Sequence, residues 1–147
     1  APLLEDRPVC IVSTSHPFAV LDRLSLPEYL SLDHISPTAA ADARFSPIDE
    51  ELARLGAKRR IAMVLPDYLM LPRVVARTRL VLTTGARFGA LAAATAPVKV
   101  LAAPAELKPI RFRVLWHERS HADPAHEWLR GMVRATAQRV LAPANAA

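Results

Sequence analysis

The chain has 147 residues, of which 52% are hydrophobic and 22% are charged, and its formal net charge is +5. This length is typical of a single compact domain with a buried core. The longest apolar run, residues 88–96, is shorter than the roughly 18 residues of a membrane span, so we expect a soluble protein that does not bind a membrane. No basic leader precedes an apolar run at the N-terminus, and we therefore expect a cytoplasmic setting.

Basic and acidic residues are interspersed, and the only basic cluster is Lys58-Arg59-Arg60. Because this triplet has no interleaved aromatic residues, we interpret it as the solvated approach to a strand rather than as a phosphate-binding patch. The single cysteine, Cys10, lies in an apolar run and has no partner for a disulfide or a thiolate metal site. We expect Cys10 to be a small core residue.

Four short apolar segments predict buried strands, at residues 9–12, 61–65, 80–82 and 98–101. Apolar runs of this length are typical of parallel strands that helices cover on both faces. Three helices are predicted between residues 46 and 94: residues 46–55, with Ser46 as N-cap and Gly56 as stop; residues 67–77, starting late because of Pro72; and residues 86–94. This alternation predicts an α/β fold with a central, mainly parallel sheet.

The last third of the chain has a different pattern. Residues 110–117 alternate between apolar and polar, which predicts a strand with one wet face. Asp123 and Pro124 then begin a helix with an apolar stripe, formed by Trp128, Leu129, Met132, Val133, Val140 and Leu141. The opposite, polar face is predicted to contain His126, Arg130, Arg134 and Gln138.

Three histidines close together, His117, His121 and His126, raise the question of a metal site. Asp123-Pro124 separates a strand end from a helix start, so the histidines are not one turn apart on one element, and we expect a solvated turn without a metal. The chain contains no Gly-x-Ser-x-Gly elbow, dinucleotide-binding turn or phosphate loop. We therefore predict no catalytic residue and no cofactor, although spatial clustering leaves a small enzyme as an alternative.

Polar residues follow three of the predicted strands: His16 the first, Pro66-Asp67-Tyr68 the second and Thr83-Thr84-Gly85 the third. In open α/β sheets, ligands bind at the carboxyl ends of strands, where helix N-termini present free N–H groups. Each residue has a structural alternative, since His16-Pro17 is compatible with a turn, and Asp67 and Thr84 with helix caps. If these strand ends share one edge of the sheet, the residues form a ligand site there.

Several stretches carry a resemblance to a known family: residues 4–12 with Ser15-His16-Pro17, residues 26–30, residues 60–66 with 71–76, and residues 112–117 with 121–130. On these stretches nearly the whole chain resembles the second half of the substrate-binding domain of LysR-type transcriptional regulators. Its ending is similar to the branch of nodulation regulators and sensors of aromatic compounds.

The resemblance implies a fold like that of type II periplasmic binding proteins, in which two α/β lobes close on a small effector. Residues 1–13 would form the end of the first lobe and the hinge, residues 14–110 the complete second, effector-binding lobe, and residues 111–147 the return strand and C-terminal helix of the first lobe. It also implies that DNA is bound only through a domain absent from this chain.

The function implied is that of a ligand-sensing regulatory domain, and the implied effector-binding residues are His16, Pro66, Asp67, Tyr68 and Thr84. His16 matches a histidine that contacts the effector carboxylate in aromatic-responsive members, whereas Asp67 replaces a frequent histidine and Thr84 a frequent Leu or Val. A carboxylate at position 67 would repel an aromatic acid, so either the effector is neutral or cationic, or Asp67 is turned away as a cap.

The resemblance also bears on assembly. The helix from Asp123 would have lost part of the surface that covers it, and an exposed apolar stripe favours association. We therefore expect a homo-oligomer, either a dimer or a tetramer. The alternative to a regulator is a solute-binding protein of a transporter, which shares the fold class.

Overall fold

A computed structural model of the protein describes residues 1–37 and 46–141. The chain divides into a core unit, residues 7–110, and a terminal unit, residues 1–6 together with the described residues from 111 onward. Within the described ranges, no helix has both the length and the hydropathy that crossing a membrane requires.

The described residues form seven strands and five α-helices. The strands are β1 (Pro2–Asp6), β2 (Pro8–Ser13), β3 (Asp33–Ser36), β4 (Arg60–Val64), β5 (Val81–Gly85), β6 (Val98–Ala102) and β7 (Ile110–Arg113). The helices are α1 (Leu26–Ser31), α2 (Pro47–Arg54), α3 (Leu71–Val75), α4 (Ala86–Thr95) and α5 (Pro124–Leu141). Short 3-10 helices span Pro17–Val20 and Glu118–Ser120.

The core unit contains a five-stranded sheet in the order β4-β3-β5-β2-β6. Strand β3 pairs in parallel with β4 and β5, whereas β2 pairs antiparallel with β5 and β6. The other four strands of this sheet therefore run in one direction, and β2 runs against them. The predicted α/β architecture is confirmed, and the sheet is mixed because of this one reversed strand.

Helices cover both faces of the sheet, as the apolar strands predicted. One hydrophobic cluster joins β2, β5 and β6 to α1 and α2, and includes Cys10, Tyr29, Leu52, Val81 and Leu101. A second cluster on the opposite face joins the strands to α3 and α4, and includes Ile11, Ile35, Leu71, Leu82 and Ala92. All six residues of β2 are buried because both clusters use this strand.

Helix α4 lies very close to the sheet. A Cβ placed on Gly89 would be 2.9 Å from Val9 Cγ2, closer than real Cβ contacts. Only a glycine at this position allows α4 to approach β2 as it does.

The four predicted strands and the predicted helices are all present. Helix α3 begins late, at Leu71, with Pro72 in its first turn, where a proline costs no hydrogen bond. Cys10 is 0% exposed, and burial raises the pKa of its thiol to about 12 although a hydrogen bond with Thr83 opposes the shift. The sequence did not predict α1 or β3, and β7 ends at Arg113, earlier than the alternating pattern indicated.

Strand β2 is an internal strand of the core unit, and residues 1–6 of the N-terminal segment belong to the terminal unit. The assignment of residues 1–13 to the end of the first lobe and the hinge stays a prediction. One further expectation needs correction. Arg130 was placed on a solvated face of α5, but it is 9% exposed. Its guanidinium donates to the carbonyls of Ser120 and His121 at 2.9 and 2.7 Å, and lies 4.8 Å from the centroid of the Trp116 ring.

The terminal unit consists of the two-stranded sheet β1-β7 and α5, which contacts β1. The N-terminal amino group donates to the carbonyl of Val114 at 2.7 Å, and Val114 N–H donates back to the carbonyl of Ala1 at 2.8 Å. Four apolar residues of α5 are exposed: Trp128, Leu129, Met132 and Val133.

Arg59 also differs from expectation, because it is 4% exposed rather than solvated. Its Nε and Nη2 donate to the two carboxylate oxygens of Asp49 at 2.7 and 2.8 Å, and its Nη1 lies 3.5 Å from Tyr29 Oη. Burial alone would raise the pKa of Asp49, but hydrogen bonds from Arg59 and Ser46 outweigh it and hold that pKa below its usual value. A bidentate, largely buried ion pair therefore joins α2 to the start of β4.

This geometry predicts different roles for neighbouring arginines. Arg59→Met should lower the free energy of unfolding by about 3 kcal/mol, because it leaves a half-buried carboxylate without its partner. Arg60→Met is the control: Arg60 pairs with Asp33 at 2.6 Å, but its side chain is 71% exposed, so its loss should cost at most about 1 kcal/mol. Urea unfolding followed by circular dichroism measures both, and equal losses would contradict the assignment.

Candidate functional site

Strands β3, β4 and β5 are parallel neighbours and end at the same side of the sheet, which we call the carboxyl edge. Ser36 pairs with Val64, so β3 and β4 end together, whereas Ile35 pairs with Leu82 and β5 continues to Gly85. Residues 65–68 follow β4 at this edge, and residues 84 and 85 end β5 and lead into α4. This places the two predicted polar segments, Pro66-Asp67-Tyr68 and Thr83-Thr84-Gly85, on one side of the core unit.

An aromatic contact links the first of these segments to the start of α4. The Tyr68 ring meets the Phe88 ring edge to face, with centroids 5.3 Å apart, and Phe88 lies in the first turn of α4. Thr84 is 8% exposed, and its hydroxyl makes no hydrogen bond within the described residues. Gly85 caps α4 without a side-chain hydrogen bond. Thr84, Tyr68 and the start of α4 therefore offer a hydroxyl, an aromatic ring and a helix N-terminus at one edge.

Asp67 acts as a backbone cap at this edge. Its Oδ1 accepts hydrogen bonds from Leu69 N–H at 2.9 Å and Met70 N–H at 3.2 Å, in the turn that leads into α3. An Asp side chain bonded to the amides two and three residues ahead is a typical turn and cap arrangement. The carboxylate is held by its own backbone, so its charge is partly satisfied locally.

His16 does not lie with these residues. Because β2 is antiparallel to β5 and β6, its end at Ser13 pairs with Val98 at the start of β6, on the side of the sheet opposite the carboxyl edge. His16 is 6% exposed, its Nδ1 accepts a hydrogen bond from Phe18 N–H at 3.1 Å, and burial lowers its pKa. The expectation of one shared edge is therefore wrong for His16, which caps a 3-10 helix.

A buried polar network on the side of the sheet covered by α1 and α2 was not predicted. Tyr29 Oη and Thr83 Oγ1 are 2.7 Å apart, and Arg59 links the tyrosine to Asp49. His34, 0% exposed, donates from Nε2 to the carbonyl of Tyr29 at 2.8 Å, while its Nδ1 has no hydrogen-bond partner within the described residues. The one sequence signal for this region was Ser25-x-x-Glu28, which forms a capping box at the start of α1.

The three histidines of the terminal unit have local structural partners. His117 Nδ1 accepts from Arg119 N–H at 3.1 Å, and His121 Nδ1 accepts from Trp116 Nε1 at 3.2 Å. Asp123 accepts from His126 N–H at 3.0 Å, and this bond holds the pKa of the Asp123 carboxyl below its usual value. No group of three or more His, Cys, Asp or Glu suited to a metal occurs among residues 1–37 and 46–141.

An α/β sheet with polar groups gathered beside a helix N-terminus at its carboxyl edge is the arrangement of a small-molecule binding domain. Comparison with known proteins agrees with this class. The LysR substrate binding domain family matches residues 1–138, and the chain belongs to this family.

Individual relatives give the same answer. The HTH-type transcriptional regulator SyrM of Rhizobium meliloti (strain 1021) is 33% identical over 135 residues, which are 92% of this chain and 41% of that protein. Nodulation protein D 1 of Rhizobium tropici is 29% identical over 143 residues, 97% of this chain and 46% of that protein. The chain thus spans less than half the length of these curated relatives. They are regulators and give no support to a transporter solute-binding protein.

A solved structure shows the fold. The effector binding domain of QuiR, determined in complex with shikimate, matches with a TM-score of 0.74 at 17% identity, over 94% of this chain and 64% of that chain. The resemblance to LysR-type effector domains inferred from the sequence is confirmed.

The buried state of His34 predicts a dependence of stability on pH. Burial lowers the pKa of His34 to about 4, although its bond to the Tyr29 carbonyl opposes the shift, whereas the unfolded chain binds the proton near the ordinary value of 6.5. The folded state thus excludes a proton that the unfolded state accepts. Stability should be full above pH 6.5 and fall as the pH drops towards 4, by on the order of 3 kcal/mol.

Urea unfolding between pH 7.5 and 4 measures this dependence. His34→Gln, which keeps a donor for the Tyr29 carbonyl, should remove most of the loss. A smaller loss of stability at low pH should remain in this variant, because burial also lowers the pKa of His16. An unchanged pH profile in His34→Gln would show that the proton is taken up elsewhere.

Proposed function

We propose that this chain is the effector-sensing part of a LysR-type transcriptional regulator and that its core unit binds a small molecule at the carboxyl edge. The observation that carries the proposal is the meeting of Thr84, Tyr68 and the N-terminus of α4 at that edge. The family assignment supports the proposal. The effector binding domain of QuiR, which has a similar fold and was determined in complex with shikimate, supports it as well.

The chemistry of the edge is that of reversible binding. The Thr84 hydroxyl can donate or accept, and the Tyr68 ring can pack against an apolar part of the ligand. The Ala86 amide already donates to the carbonyl of Arg7 at 2.8 Å, so the amides that follow it in the first turn of α4 would donate to an oxygen of the ligand. Asp67 is occupied by Leu69 and Met70 N–H groups, which weakens the argument that it repels an acidic effector. We propose no catalytic residue, so the chain acts as a sensor and not as an enzyme.

Signalling then requires two conformations with different affinity for the effector. A ligand shifts such an equilibrium only by its difference in affinity for the two states. In the full-length regulator, the DNA-reading domain would lie outside these 147 residues, and the effector would change its geometry on DNA. The cell compartment proposed is the cytoplasm, where the DNA is.

The first test of this proposal is a dose–response experiment in the full-length regulator. Thr84→Val keeps the size of the side chain and removes its hydroxyl, so the effector concentration for half-maximal response should rise by roughly three- to tenfold. Binding to the operator without effector should not change. His16→Ala is the matched control: it removes a cap at the opposite end of β2, and we expect unchanged effector sensitivity with reduced stability.

Two outcomes would oppose the site as drawn. The first is an unchanged dose–response curve for Thr84→Val. The second is a shifted curve for His16→Ala, which would indicate that the effector binds near His16, at the C-terminal end of β2.

A thermal-shift screen identifies the effector. Shikimate, salicylate and small amino-acid metabolites are suitable first ligands, each tested on the regulator's complete effector domain. A ligand at 100 times its dissociation constant should stabilise the fold by about 2.7 kcal/mol. The stabilisation should shrink in Thr84→Val at the same ligand concentration, and a stabilising ligand indifferent to Thr84→Val would bind elsewhere.

We also propose that the 147-residue chain forms a homo-oligomer through the apolar face of α5. Trp128 is 67% exposed, Leu129 is 52% exposed, and Met132 and Val133 are 44% and 39% exposed. Contiguous apolar surface of this kind is typical of an interface rather than of a solvated helix.

Light scattering after size exclusion tests the oligomer. Leu129→Lys with Met132→Lys should shift the chain towards the monomer, since charge would then lie within the contact. Gln138→Lys, on the polar face of the same helix, should leave the mass unchanged. A wild-type chain that elutes as a monomer at 100 μM, roughly the concentration for weak dimers, would refute the proposal.

A further inference from the structure

A groove between α3 and α4 contains two adjoining cavities, of about 670 and 420 Å³. They share three lining residues, Met70, Arg73 and Thr95, and therefore form one elongated depression. Each volume lies within the roughly 300–1,000 Å³ of small-molecule sites. The groove runs along the outer side of the helix layer, whereas Thr84 is buried in β5 beneath the start of α4.

One end of the groove is apolar. The smaller cavity is also lined by Tyr68, Leu69, Phe88 and Leu91. Leu69 is 80% exposed and Leu91 is 54% exposed, which is costly for side chains that have no apolar contact. The Tyr68–Phe88 ring pair stands at this end. An apolar body of a ligand would cover these side chains.

The other end of the groove is cationic. Arg73 and Arg77, four residues apart, line the larger cavity together with Ala96 and Pro97, and no acidic residue lines it. Neither arginine forms an ion pair within residues 1–37 and 46–141, whereas other arginines there do, among them Arg54, Arg59 and Arg111. Guanidinium groups bind carboxylates through two parallel hydrogen bonds.

The two threonine hydroxyl groups of the groove already donate to backbone carbonyls and are not free to donate to a ligand. Thr78 Oγ1 donates to the carbonyl of Val74 at 3.0 Å, and Thr95 Oγ1 donates to the carbonyl of Leu91 at 3.0 Å. At the cationic end of the groove, the side-chain donors without a partner among the described residues are therefore the two guanidinium groups, and the Tyr68 hydroxyl lies at the apolar end. The guanidinium groups select an anion rather than a neutral hydroxylated ligand.

We propose that this groove binds an amphipathic monocarboxylate, with its carboxylate at Arg73 and Arg77 and its apolar chain along Met70 towards Leu91 and Phe88. The groove shares Tyr68 with the proposed effector site at the carboxyl edge. The two arginines that would hold the carboxylate are not part of that site, and the present proposal does not rest on it. The ligand-sized cavities favour a small acid over an acidic peptide, which the experiment below distinguishes.

The three methionines of the chain provide the readout, because one lies on each relevant surface: Met70 in the groove, Met63 on β4 and Met132 on α5. The 147-residue chain with ¹³C-methyl methionine is titrated with octanoate and followed by NMR. The Met70 methyl signal should move and saturate, while Met63 and Met132 stay in place. Octan-1-ol, of equal chain length without the charge, should bind about tenfold more weakly or worse.

Variants locate the carboxylate. Arg73→Gln and Arg77→Gln should each raise the dissociation constant of octanoate by about tenfold, whereas Arg134→Gln, which removes an exposed charge on α5, should leave it unchanged. Thr84→Val should also leave the dissociation constant of octanoate unchanged. The experiment on the effector site and the experiment on this groove can therefore fail independently of each other.

Three results would overturn the proposal: a Met70 signal that octanoate does not move, equal affinity for octan-1-ol, or wild-type affinity in both arginine variants. If a glutamate- and leucine-rich amphipathic helical peptide moved Met70 and octanoate did not, the groove would instead be a surface for an acidic macromolecule.

Discussion

The reversed strand at the centre of the sheet determines most of what the core unit can do. All six residues of β2 are buried, and the strand bonds to β5 on one side and β6 on the other. Alternate residues supply both hydrophobic clusters, Cys10 and Val12 to one face and Ile11 to the other. Because β2 runs against its neighbours, its own end lies away from the carboxyl edge. A single strand direction thus decides which loops can meet a ligand.

The buried polar network lies on the side of the sheet covered by α1 and α2 and reaches β5 through Thr83. Asp49, Arg59, Tyr29 and Thr83 connect α2, the start of β4, α1 and β5 in one chain of hydrogen bonds. Such a chain is costly to bury unless each member is satisfied, and here the bidentate ion pair satisfies most of it. Thr83 is held by Tyr29, so its neighbour Thr84 is fixed in position on the opposite face of β5. The proposed effector site would therefore depend on residues that lie outside it.

Sequence patterns predicted the parts of this structure that depend on local chemistry. Apolar runs indicated β2, β4, β5 and β6, and the Ser46 cap with Pro47 indicated α2. The direction of β2 was not predictable, because a strand that is apolar on both faces has the same pattern in either direction. Arg59 and Arg130 were misplaced because their partners are ten and nine residues distant, beyond the reach of one helical turn. Strand β3, Asp-His-Ile-Ser, is too short and polar to show a strand pattern.

The contact at Gly89 has a consequence for any motion of the core unit. Helix α4 cannot approach β2 more closely, since Val9 already touches the glycine backbone region. The position of α4, and of Phe88 beside Gly89, is therefore limited on the side that faces the sheet. Helix α3 has five residues, of which Leu71, Pro72 and Val75 are buried, and it contacts β2, β5 and α4. A displacement of α4 is therefore possible only away from the sheet, and a larger side chain at position 89 would force such a displacement.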